Sequence, residues 1–346
     1  MRLLKVFLAV IASTLCMGAC GDQQDTGQDF PDMQLEFTPG QLTEAGVCGA
    51  CHIDIFSLWQ SSQHARSFSN PVFQEAMEDA VSSSGEDVRR LCLRCHAPAA
   101  ALQEDYEPED PLIQEGVGCD FCHSLTGTVL AETQNPFVLE VGSVKFGPVE
   151  DADSNAHEVG HSEFHTSSLH CAGCHQYTNP NGIEILSTYS EWRTYQASGG
   201  DKSCQECHMP LVMANVVDPK VKRVEGSFVN LHKMPGGHSR DQLTKSLRLS
   251  ITELKRSEKE VYVQVQVKNS GAGHSVPTGS PSRKVVLSLV AETPGKEKTI
   301  REQRVYQRVM SDSEGRPILE DSDLFCMAAV KVASDNRIAP GEERLE

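Results

Sequence analysis

Aromatic residues are scarce in this chain, 6% of 346, with 2 Trp and 6 Tyr. Long apolar runs are missing too. Outside the first twenty residues nothing approaches the ~18 consecutive apolar residues of a membrane-crossing helix, which excludes a bundle of spans. Positive charge is in deficit, with 31 Lys and Arg against 48 Asp and Glu for a formal charge of −17. That excludes the basic footprint on which nucleic-acid binding depends. There is no phosphate-cradling glycine loop, zinc-protease helix or nucleophile elbow. With Gly 26 and Pro 17 the chain reads as loop-rich, and its length suits about two domains of ~100–200 residues. What it does have is 13 Cys and 13 His, and they are not scattered.

The amino terminus reads as an export signal over residues 1–19. Arg2 and Lys5 form a positive start, Val6 to Leu15 is apolar, and the small residues Gly18 and Ala19 follow. Met17-Gly18-Ala19-Cys20 resembles a bacterial lipobox, which makes Cys20 the expected lipidation site. Cys16 fits poorly because Leu15 before it is large. The alternative is ordinary cleavage, with Cys20 incidental. Residues 20–44 are polar and suit a flexible tether. The expected location is the bacterial cell envelope, as a lipoprotein facing the periplasm or the outer surface. Outside the cytoplasm free Cys pairs oxidise, so many cysteines here mean disulfides, metal or a covalent cofactor.

Ten of the cysteines fall into five copies of one motif. These are Cys48-Gly-Ala-Cys51-His52, Cys92-Leu-Arg-Cys95-His96, Cys119-Asp-Phe-Cys122-His123, Cys171-Ala-Gly-Cys174-His175 and Cys204-Gln-Glu-Cys207-His208. Composition alone would supply roughly 0.02 such motifs in the chain. C-x-x-C-H is the attachment signature of c-type haem. Each Cys forms a thioether with one vinyl group, and the two-residue spacer lets both sulfurs reach one edge of the macrocycle. The His then lies under the iron as the proximal ligand. Zinc ribbons pair C-x-x-C units without requiring a His after each second Cys, and thioredoxin-like pairs sit near a βαβ pattern that this region lacks. Five covalently attached haems in roughly 160 residues are forced close together, and porphyrins filling the interior account for the few aromatic rings. Short helices and loops around a haem stack are expected, with helical patches at Ile53 to Ser67 and Pro71 to Ser82.

Eight His lie outside the motifs: His64, His157, His161, His165, His170, His232, His238 and His274. A second His closes an iron for electron transfer, and an empty position opens it to a small molecule. Residues 48–240 resemble the multihaem cytochromes related to cytochrome c554. The resemblance is carried by Trp59-Gln-Ser-Ser-Gln-His64-Ala, Glu115-Gly-Val-Gly-Cys119-Asp-Phe-Cys-His123, Lys145-Phe-Gly-Pro148, Tyr189-Ser-Glu-Trp192 and Cys204-Gln-Glu-Cys-His208-Met-Pro210. It implies haems packed in stacked and angled pairs and electron transfer outside the cytoplasm. The c554 type has four motifs and this chain five plus a further domain, so the ligand pairing does not carry across. The distal candidates are His64, in its Trp-x-x-x-x-His-Ala context, then His157, His165, His232, His238 and His274. His161 is a weaker one, and His170, directly before Cys171, is a bystander. Met209 and Met234 read as packing against a porphyrin face, with iron ligation as the alternative.

From about 245 the pattern changes. Leu247, Leu249 and Ile251 alternate, then Val261, Val263, Val265 and Val267, then Val285, Leu287 and Leu289, with a weaker echo at Ala328 to Val332. Turn residues lie at Asn269–Gly273 and Pro294-Gly295. The expected fold is a mostly α and irregular multihaem cytochrome domain over 45–240, followed by an all-β, Ig-like sandwich over 245–346. The chain stops at Pro340–Glu346, where another strand would begin, so an incomplete sandwich is one expectation. Gly271-Ala-Gly-His274-Ser-Val-Pro-Thr-Gly279 resembles a loop of the sandwich attached to some multihaem cytochromes, with His274 placed to reach a haem. Cys326 reads as a buried thiol.

The leading expectation is an electron carrier with five closely packed bis-His haems. It would serve other redox proteins or quinol-linked complexes, reach the membrane through its lipid anchor and bind no nucleic acid. The alternative is a reductase or oxidase of a small nitrogen or sulfur compound at one open iron, for which no catalytic residue is singled out.

Overall fold

The computed structural model describes residues 35–103, 107–131, 135–222, 228–258, 260–292, 299–326 and 328–346, which belong to one compact unit. Cys20 and the export segment lie outside the described residues. No helix among those described is long and apolar enough to cross a membrane.

Residues 45–240 are built from short helices. The longest, Pro71–Ser84, starts where Asn70 accepts a hydrogen bond from Val72 N (2.9 Å) with Pro at the first helical position. Its Met77 packs with Phe68, Leu93, Ala97 and Ile113 in one buried cluster. The first expected helical patch is shorter than its periodicity suggests. Ile53–Gln60 is α-helical, and a 3-10 turn, His64–Arg66, follows after a break.

The region also holds strand pairs that its sequence does not advertise. Leu125–Thr128 pairs with Phe137–Leu139, Tyr177–Thr178 with Glu184–Leu186, and Leu211–Met213 with Phe228–Asn230, all antiparallel. Val144–Gly147 and Glu158–His161 pair in parallel. With two to four residues each, these strands are too short to show a period.

The carboxyl-terminal region is β-rich. Leu247–Arg256, Val261–Asn269 and Glu343–Leu345 form a three-stranded antiparallel sheet with Val261–Asn269 in the centre. Lys284–Glu292, Thr299–Ser311, Pro317–Ile318 and Lys331–Asp335 form a second, with Thr299–Ser311 carrying the pairing. Val263, Val265 and Val267 from the first sheet meet Val285, Leu287 and Tyr306 from the second. The alternation of valines therefore marks an inward face. Thr299–Ser311 is the longest strand and was not expected, because its many charged and polar residues hide the period. The expected echo at 328–332 begins later, at Lys331.

The two regions share a core. Tyr177 and Ile185 pack with Met310, Leu324 and Ala329. Tyr177 Oη donates to Phe325 O (3.0 Å) and Asn179 Nδ2 to Ala329 O (2.8 Å) across the same seam.

Candidate haem-binding sites

Each motif is one turn of helix. The helices Asp87–His96, Cys119–His123, Leu169–His175 and Cys204–His208 all end on the motif His. In the first motif the helix Ala45–Gly49 holds Cys48 and stops short of Cys51, yet His52 N still donates to Cys48 O (2.9 Å). Residues three and four apart on a helical turn share a face, so both thiols and the imidazole of a motif present themselves together. Side chains from elsewhere fix these turns. Asp120, almost fully buried, accepts from Thr43 N (2.7 Å) and pairs with Lys145 Nζ (2.7 Å). Glu115 accepts from Ala45 N (2.8 Å). These two carboxylates tie the first motif to the third. Ser203 and Glu206 form a reciprocal capping box on the fifth.

The motif cysteines carry no disulfide. Cys48 contacts Cys119, Cys95 contacts Cys174, and Cys171 contacts Cys204, each through a thiol hydrogen bond. In each couple one thiol is favoured as thiolate and its partner is pushed up. Cys95 and Cys204 are lowered to about 7 by these bonds, and Cys122 is pushed up to about 12 by burial. Cys122 also faces Cys171 and Cys174 electrostatically. The five attachment turns are thus linked into one network.

Four of the five motif imidazoles face a second imidazole. Ring centres are 6.2 Å apart for His52 and His157, 6.2 Å for His175 and His64, 6.4 Å for His123 and His232, and 6.3 Å for His208 and His274. Two imidazoles bound through Nε2 to opposite faces of one iron, at about 2 Å each, have ring centres about 6 Å apart. The donor set and its spacing therefore fit one haem iron between each pair.

In seven of these nine imidazoles, all but His64 and His175, a hydrogen bond occupies the other ring nitrogen, as suits a ligand. Nδ1 of His52 donates to Val216 O (2.6 Å), of His123 to Phe146 O (2.6 Å), of His208 to Pro235 O (2.7 Å) and of His96 to Ser67 O (3.1 Å). On the partner side His157 donates to Glu158 O (2.9 Å), His232 to Asn230 O (2.6 Å) and His274 to Ser275 O (3.0 Å). Each bond leaves Nε2 free. Burial lowers the pKa of His64, His96, His123 and His274 and takes His232 to about 4. All stay neutral at pH 7, the form that binds a metal.

His64 owes its place to a backbone contact. Val117 N donates to His64 O (3.0 Å), and Gly116, at φ +70°, would put a Cβ 2.5 Å from that same oxygen. Only glycine allows this approach.

The remaining candidates behave differently. His165 stands 5.7 Å from His123, but its Nε2 donates to Cys122 O (3.1 Å) and its Nδ1 is buried without a partner. His170 Nε2 is directed to the same carbonyl at 3.4 Å. Both rings thus turn their metal-binding nitrogen to the backbone. His161 and His238 are exposed, and among the described residues no ring contact joins either to a motif imidazole. Among the described residues no ring contact joins His96 to a second imidazole, although His64 is near enough to act on it electrostatically, and Phe73 lies flat against it (3.8 Å, 5°). The expectation of a second His at every iron thus meets only four pairs. Sequence reasoning missed Phe73 and the backbone carbonyls that orient the rings. A carbonyl carries no residue signature, and Phe73 reads as an ordinary helix residue.

Residues 47–124, which hold the first three motifs, match the family model described as cytochrome c554 and c-prime. No curated protein matches the chain. A penta-heme cytochrome c552 from Thermochromatium tepidum has the same fold, at 24% identity and a TM-score of 0.69, over 89% of this chain and 87% of that one. Over residues 47–124 the chain is thus similar to the cytochrome c554 and c-prime family, and its fold is shared with a penta-heme cytochrome.

Proposed function

We propose that the chain carries five haems, one on each motif, and passes electrons through them to a redox partner outside the chain. The observation that carries this reading is the set of four imidazole pairs at iron-bridging distance, each reached from a motif turn. In it, the motif cysteines hold the macrocycles by thioethers. His52, His96, His123, His175 and His208 are the proximal ligands, and His157, His232, His64 and His274 close the irons of the first, third, fourth and fifth motifs.

Bound haem supplies a one-electron couple whose potential follows its axial ligands and burial. The rest is the work of this chain's residues. The carbonyls of Val216, Phe146 and Pro235 set ring orientation and strengthen each imidazole as a ligand. The contacts from Cys48 to Cys119, Cys95 to Cys174 and Cys171 to Cys204 bring attachment edges side by side, which favours hopping between haems. The acidic balance suits a basic partner face, on another redox protein or a quinol-linked complex. Acylation at Cys20 and a place in the cell envelope complete the proposal. They rest on the signal segment, and the mass of the mature amino-terminal peptide reads them out.

A second reading is favoured by His96. With no ring contact to a second imidazole among the described residues, its iron would be the candidate open site, for reduction or oxidation of a small nitrogen or sulfur compound. EPR and carbon monoxide titration of the purified holoprotein test both readings. The expected result is five haems per chain, four low-spin and one high-spin, with one binding carbon monoxide on reduction. Five low-spin haems and no carbon monoxide binding would leave the carrier and remove the reductase. Fewer than five haems would overturn the assignment of a haem to every motif.

A further inference from the structure

His274 sits on a loop of the β-rich region, yet it faces His208 of the fifth motif at 6.3 Å. A loop imidazole keeps such a position only if the loop is itself held. Two residues hold this one from opposite sides. From within the sheets, fully buried Asn269 donates to His274 O (2.8 Å) and Ile338 O (3.1 Å) and accepts from Ala272 N (3.1 Å). From the haem region comes Glu191, on the helix Thr188–Ala197. Its Oε2 accepts from Ser275 N (3.0 Å), next to His274, and from Thr278 Oγ1 (2.9 Å). Its Oε1 accepts from Arg337 Nη1 (2.6 Å) and Ser187 Oγ (2.6 Å). The Glu191 and Arg337 side chains are only 11% and 8% exposed. One turn along the same helix, Tyr195 lies against Gly273, where an added Cβ would come within 3.0 Å of the ring. The helix therefore grips the loop on both sides of His274.

We propose that Glu191 is the positioning residue for His274, so that one carboxylate of the haem region keeps the fifth iron closed by a ligand from the β-rich region. This rests on the His208–His274 assignment above. A carboxylate is the side chain that serves all four donors. Glutamine has to turn its amide NH2 toward one pair of N–H or O–H donors, so the loop or Arg337 is released.

The test uses the holoprotein with its haem count verified. Glu191→Ala, Glu191→Gln, His274→Ala and Asn179→Ala are compared by carbon monoxide binding and ferric EPR. Asn179 makes a bond across the same seam to Ala329, so its variant loosens the interface without touching the His274 loop. The expected result is one further carbon monoxide-binding, high-spin haem in His274→Ala and in Glu191→Ala, with Asn179→Ala like the parent. Glu191→Gln shows the same new signal in part of the molecules and serves alone if Glu191→Ala does not fold. Added imidazole returns the His274→Ala haem to low spin. If His274→Ala opens a haem and neither Glu191 variant does, Glu191 is only an interface residue and the inference falls while the pairing stands. If Asn179→Ala opens the haem as well, loosening the seam is enough and the inference also falls. If His274→Ala opens none, the pairing fails and takes the inference with it.

Discussion

The two regions of this molecule solve the problem of an interior in different ways. Between residues 247 and 345 the strands supply it themselves, with valines and Tyr306 meeting across two sheets. Between 45 and 240 the buried apolar residues are divided into separate clusters, large ones such as Phe68, Met77 and Ile113 beside several alanines, and the motif thiols stand half-buried among them. The first interior is protein packed on protein. The second is organised around attachment turns whose imidazoles stand one iron apart. If haems occupy those turns as proposed, one region is held chiefly by its own packing and the other partly by its cofactors.

The strongest way to break that comparison is to remove one cofactor. The fourth motif is the place, because its cysteines contact those of the second and fifth. Cys171→Ser with Cys174→Ser is expected to lose at least one haem per chain and a large share of the helical circular dichroism. Limited proteolysis should then cut within 45–240 and spare the strands from 247 onward. Uniform cleavage along the chain would show that the β-rich region has no independent stability.

The seam between the regions gives the next largest effect. Met310 is fully buried where the second sheet meets Tyr177 and Ile185. Met310→Ala removes about 2–5 kcal/mol, the usual range for truncating a buried Met. The loss should show in denaturant unfolding as a lower midpoint for both regions together, if the shared core couples them. A second, earlier transition confined to one region would mean that the seam is weaker than its burial implies.

The same contrast governs what the sequence made legible. The attachment turns were readable because Cys, Cys and His must lie on one turn, so the chemistry is local. The valine strands were readable because one face is buried and the other wet. Pairing of imidazoles was not, since His52 with His157 or His208 with His274 is decided by the path of the whole chain. Sequence context ranks His64 above the other spare histidines but does not separate His165, whose Nε2 bonds Cys122 O, from His232, whose Nδ1 bonds Asn230 O and leaves Nε2 free. Thr299–Ser311 was hidden for a related reason: Glu302, Arg304 and Arg308 fall at the same alternate positions as buried Tyr306 and so break the apolar period.

The smallest effect separates the regions by the sign of their response to pH. In the haem region burial raises Glu115 from its ordinary value of 4.5 to about 7, with the bond from Ala45 N opposing it. A carboxyl raised on folding favours the native state while protonated, so its contribution is full below about pH 4.5 and is lost as pH rises through about 7. In the β-rich region Asp335 goes the other way. Burial would raise it, but hydrogen bonding and charge from Arg337 prevail and hold it below its ordinary 3.8. Its contribution is present above that value and is lost as acid protonates it. Glu115→Gln should therefore flatten the fall in stability between pH 5 and 7, by on the order of 2 kcal/mol for a shift of this size. Asp335→Asn should leave that window unchanged and remove part of the acid-side loss. Unfolding midpoints across pH 3 to 8 measure both. Equal slopes in the parent and the Glu115→Gln variant would mean that the carboxyl between the first and third motifs reaches water, and that this part of the haem region is wetter than its packing indicates.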